Sequence, residues 1–81
     1  MIIITHRNSD IDECIGVADD WYEAYGKMFS DIVECVTNDK QKLCIEAKES
    51  NDYYEKYNAY LDEKPEDVAT YMLYYFRKEQ K

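Results

Sequence analysis

The chain is predicted to be mainly α, a compact three-helix arrangement with a short extended N-terminal segment. Three observations predict this. Apolar residues recur at 4-3-4-3 spacing from Asp10 to about Val36, and the same spacing returns from Leu43 to Leu61. Pro65-Glu66-Asp67 then opens a third segment with the chemistry of a helix start. At 81 residues the chain is expected to be one small acidic domain (residues 1–81). A core of that size supplies about 3–5 kcal/mol of net stability.

Ile2 to Thr5 is a β-branched run and reads as extended. Asn8-Ser9-Asp10 breaks that run and offers helix caps, with Asp12 three residues after Ser9 and Glu13 three after Asp10. In the first helix, one apolar row is Ile11, Ile15, Ala18, Tyr22, Tyr25, Phe29, Ile32 and Val36. A second row, Cys14, Ala18, Trp21, Tyr25, Met28, Ile32 and Cys35, runs beside it. Together they cover about half the helical wheel, wide enough for a helix packed against two neighbours. Gly16 and Gly26 fall on the polar side, and Thr37-Asn38-Asp39 ends the segment.

The second helix rests on Leu43, Ala47, Ser50, Tyr54, Tyr57 and Leu61, but Ile45 violates its pattern. Alternation of Leu43, Ile45 and Ala47 supports the alternative, an α+β fold with a small two-stranded sheet of residues 2–5 and 42–46 and a shorter helix over 51–62. In the third helix Pro65 suits the first position, while Glu66, Asp67 and the later Arg77, Lys78 and Lys81 complement the dipole. Val68, Met72, Tyr75 and Phe76 make one face, although Tyr71–Phe76 is apolar nearly all round.

Catalysis finds little support. One histidine, His6, stands outside any nucleophile motif and reads as a surface or capping residue. No phosphate-binding glycine loop, C-x-x-C pair or H-E-x-x-H helix occurs. Asn8, Asp10, Asp12, Ile15 and Asp19 match an EF-hand loop in part, but Glu13 occupies the place that needs glycine. No cofactor, metal or enzyme activity is therefore expected. Cys14 and Cys35 would lie about 31 Å apart on one helix, too far for a disulfide. Reduced cysteines suit a cytoplasmic location. Met1–Ile4 is too short for a signal peptide, and no run approaches a membrane span.

Charge and tyrosine are the two compositional oddities. The net charge is −8, and residues 1–39 hold nine acids against two bases. Asp12, Asp19, Asp20, Glu23 and Glu34 fall within a helix sector of about 100°, with Glu13 and Asp31 at its edge. Such a stripe repels itself and disfavours direct binding to nucleic acid or membrane, while suiting a basic protein surface. The nine tyrosines exceed what three short helices bury. Tyr53, Tyr60, Tyr71 and Tyr74 are accordingly expected at a partner or dimer surface.

In composition the chain resembles the small acidic inhibitors encoded by phages and mobile elements, and bacterial nuclease-immunity proteins. That likeness assigns no residue. The acidic stripe leads to the expectation of antagonism by nucleic-acid mimicry: Asp12, Asp19, Asp20, Glu23, Asp31 and Glu34 would block the basic surface of a nucleic-acid-binding enzyme or complex. The alternative is a structural or adaptor homodimer, built through Ile2–Thr5 or Tyr71–Phe76, in which the acids only confer solubility.

Overall fold

The computed structural model describes residues 1–75 and overturns the three-helix expectation. In chain order the elements are β1 (Ile2–Arg7), β2 (Asp12–Ala18), α1 (Trp21–Cys35), β3 (Leu43–Ser50), β4 (Tyr54–Leu61) and β5 (Lys64–Tyr75). The five strands form one sheet of order β2-β1-β5-β4-β3, with every neighbouring pair antiparallel. The two edge strands, β2 and β3, therefore run in the same direction. Joining parallel strands needs a crossover rather than a hairpin, and α1 is that crossover. Its 15 residues span about 22 Å, enough to pass over the roughly 19 Å between the edge strands β2 and β3.

The two-stranded alternative fails as well. Ile2–Arg7 and Leu43–Ser50 are both strands, but they lie apart: β1 pairs with β2 and β5, and β3 pairs with β4. No helix occupies 51–62, because Tyr54–Leu61 is β4. The third predicted helix is strand as far as Tyr75, and its continuation through Phe76, Arg77, Lys78 and Lys81 lies outside the described residues.

The physical reason is alternation. Ile2, Ile4 and His6 of β1 and Ala69, Tyr71 and Leu73 of β5 are buried under α1, as is Ala59 of β4. A strand flanked on both sides and covered on one face shows apolar residues at period two, and a central strand also carries them on its second face. That is why Tyr71–Phe76 reads as apolar all round. Pro65 is tolerated because β1 pairs with β5 only from Thr70 onward, leaving the first half of β5 without that neighbour.

The turns reuse residues that also cap helices. Asn8 Oδ1 accepts from the backbone N–H groups of Asp10 and Ile11, closing the β1–β2 hairpin. Asn51 Oδ1 does the same for Tyr53 and Tyr54 between β3 and β4. The helix truly begins one segment later. Asp20 is its N-cap, accepting from Glu23 N–H at 2.8 Å, while Glu23 Oε1 accepts from Asp19 N–H at 3.1 Å. Helix residues Ala24, Met28 and Ile32 enter the core, joined at its margin by Trp21 and Tyr25. No helix among the described residues is long and apolar enough to cross a membrane.

Candidate functional site

Of the apolar residues read on the first helix, Trp21, Tyr25, Met28, Ile32 and Val36 pack toward the sheet. From the first row, Tyr22 is 91% exposed and Phe29 nearly half exposed, with Val33 beside it. Tyr22, Gly26, Phe29 and Val33 follow i, i+4, i+7, i+11, so they form one stripe on the outward side of α1. Between this stripe and edge strand β2 runs an open groove of about 670 Å³, bordered by Ile15, Tyr22, Glu23, Lys27, Asp31 and Glu34. A Cβ at Gly16 of β2 would stand 3.2 Å from Lys27 Cδ, so the lysine side chain lies directly over this glycine.

The predicted acidic stripe is dispersed. Asp12 sits on β2, paired with Arg7 at 2.9 Å. Asp19 and Asp20 precede the helix, and Asp20 and Glu23 are engaged in its cap. Glu23 also stands 3.9 Å from Lys27. Glu34 remains on the groove. Asp31 turns inward, its side chain 18% exposed.

The predicted aromatic set divides too. Tyr53 is exposed in the β3–β4 turn, and Tyr74 is partly exposed on the sheet face that α1 leaves uncovered. Tyr60 donates to Glu46 at 2.9 Å. Tyr71 is fully buried, which removes it from any contact surface. β1 and β5 are interior strands, each with a neighbour on both sides, so among the described residues neither Ile2–Thr5 nor the part of β5 to Tyr75 offers a free edge for strand pairing.

Tyrosine and acid, read in the sequence as two separate surfaces, are here each other's partners. Tyr25 and Tyr57 both donate to Glu55 Oε1, at 2.7 and 2.6 Å. Burial and the hydrogen bond to Glu55 push both hydroxyls above their ordinary range. Toward the other end of α1, Tyr71 donates to Asp31 Oδ2 at 2.6 Å, and His6 Nδ1 meets the same oxygen at 2.7 Å. Burial, then the Asp31 hydrogen bond, raises Tyr71 strongly.

This second cluster has more in it than hydrogen bonding requires. Cys35, one helical turn after Asp31, places Sγ 3.7 Å from Asp31 Oδ1. Desolvation and then the Asp31 carboxylate push its thiol above the usual value. His6 is 2% exposed, and its Nε2 has no hydrogen-bond partner. His6 and Cys35 both line a small cavity of about 100 Å³, together with Asn8, Val36, Leu61, Asp67, Val68 and Ala69. His6, Asp31 and Cys35 are chemically able to hold a metal ion.

The sequence reading missed His6 and Cys35 as neighbours, and Tyr22 and Phe29 as outward residues. A period-two count from Ile2 would have put His6 on the buried face. The i, i+4 spacing of Asp31 and Cys35 was available as well. No family model, curated protein or solved structure matches this chain.

Proposed function

We propose that the protein is a small acidic antagonist whose outward α1 face docks on the basic surface of a nucleic-acid-binding protein. Tyr22 carries the reading. A tyrosine this exposed, continuous with Phe29 and Val33, leaves an apolar stripe in water that a partner would cover. The stripe adjoins a groove bordered by Glu23, Glu34 and Lys27, within a chain of net charge −8. Charge complementarity selects a basic partner and speeds encounter, while the aromatic anchor holds it. Relative to the sequence reading, the contact set shifts to Tyr22, Phe29, Val33, Glu23 and Glu34, with Asp19 near the helix start. Asp12 and Asp31 leave it.

The test is competition. The chain is immobilised, its partner captured from host extract and identified, and duplex DNA or RNA is then added. Displacement of the partner by nucleic acid supports antagonism. A stable ternary complex contradicts it.

A further inference from the structure

We propose that His6, Asp31 and Cys35 form a binding site for a thiophilic divalent cation, zinc in the first instance. The three side chains offer one ligand atom each, and these atoms all lie within 4.8 Å of one another. With metal–ligand bonds of about 2.0–2.3 Å, tetrahedral ligands stand about 3.5 Å apart; His6 Nδ1 and Asp31 Oδ2, 2.7 Å apart, would separate slightly as the ion replaces their hydrogen bond. Imidazole, carboxylate and thiolate are zinc's own ligand types, and three protein ligands leave a fourth position for solvent.

His6 Nδ1 is the nitrogen that faces Asp31, so it is the ligating atom; Nε2 lies on the far side of the ring and takes no part. Cys35 Sγ stands 3.7 Å from Asp31 Oδ1, close to the separation of two ligands on one ion. Tyr71, donating to Asp31 Oδ2, is placed as the outer partner that orients a ligating carboxylate. Cys35 sits at the exposed rim, which supplies an entry path. Cysteine binds as the thiolate, so uptake of the ion releases the thiol proton to solvent.

The full-length chain, stripped with a chelator, is titrated with cobalt(II) and then zinc(II). Thiolate-to-cobalt charge-transfer absorption should appear, saturate at one ion per chain and disappear when zinc displaces cobalt. It should be lost in Cys35→Ser, an exposed substitution that spares the core, and retained in Cys14→Ser and Cys44→Ser. Tyr71→Phe should weaken cobalt binding by roughly 10–100-fold. Zinc should raise the melting temperature of the wild type and not of Cys35→Ser. Absence of the charge-transfer band, its survival in Cys35→Ser, or its dependence on Cys14 or Cys44 would overturn the assignment.

Discussion

The Tyr71 hydroxyl on the interior strand β5 donates to Asp31 on α1 at 2.6 Å, across 40 positions of sequence. This bond fastens the crossover helix to the middle of the sheet, and Asp31 carries His6 on the same oxygen. Tyr71→Phe keeps the ring and deletes the donor. Because the acceptor is charged and mostly buried, the variant should lose about 1–3 kcal/mol in urea unfolding, with the denaturant slope unchanged. Unchanged stability would mean that the bond contributes nothing net.

Alkaline pH should unfold the protein from a predictable point. Tyr25, Tyr57 and Tyr71 all have hydroxyl pKa values raised in the folded state, each chiefly by burial. Above the ordinary tyrosine value of about 10 the unfolded chain gives up these protons while the folded chain keeps them. The folded state then binds more protons, so stability falls as pH rises, by up to about 1.4 kcal/mol per pH unit for each retained proton. The loss should begin near pH 10 and continue upward to the folded-state values. Stability curves of Tyr57→Phe and Tyr71→Phe should fall less steeply there than that of the wild type.

Two adjacent acids should separate by role. Asp20→Ala removes the N-cap acceptor and should cost about 1 kcal/mol. Asp19→Ala removes a carboxylate that accepts no hydrogen bond from the helix and should stay within about 0.5 kcal/mol. Thermal unfolding of both variants checks this, and equal losses would refute the cap assignment. Charge reversal at Asp20 or Glu23 would therefore confuse folding with binding, whereas Glu34 is free of the cap.

Gly26 lies mid-helix without a positive φ, and a Cβ added there would meet nothing within 4 Å. Gly26→Ala should stabilise the fold by about 0.4–1 kcal/mol, read as a higher melting temperature. The same methyl would sit on the proposed contact stripe. Higher stability with weaker partner binding is the expected pair of results.

How much of this was legible in the sequence varies along the chain. The stretch Trp21–Cys35 was legible because its inner row, Met28 and Ile32 among it, repeats at helical spacing in a segment with a real cap. Its boundary was not, since a bulge in β2 beside Ile15 puts Ile15 and Ala18, three positions apart, both against the core, which imitates helical spacing. From Tyr54 to Tyr75 helical and alternating patterns overlap, because aromatic residues fill both faces of an inner strand. Asn8 and Asn51 were visible as breakers, but the same side chain serves a hairpin turn or a cap. The tyrosine–carboxylate pairs join residues as far apart as Tyr25 and Glu55, and such pairing has no local signature. Tyr22 was visible as an aromatic but assigned to the core, since spacing alone does not distinguish an inward stripe from an outward one.

Docking through the outward face of α1 is tested most directly by the affinity of the captured basic partner for the wild type, Tyr22→Ala and Glu34→Lys across an ionic-strength series. Tyr22→Ala should leave unfolding stability within about 0.5 kcal/mol and weaken binding by about 2 kcal/mol or more at every salt concentration. Glu34→Lys should weaken binding mainly at low salt and flatten the salt dependence. Wild-type affinity for the partner in both variants, with an unchanged salt slope, would contradict the claim that this face makes the contact.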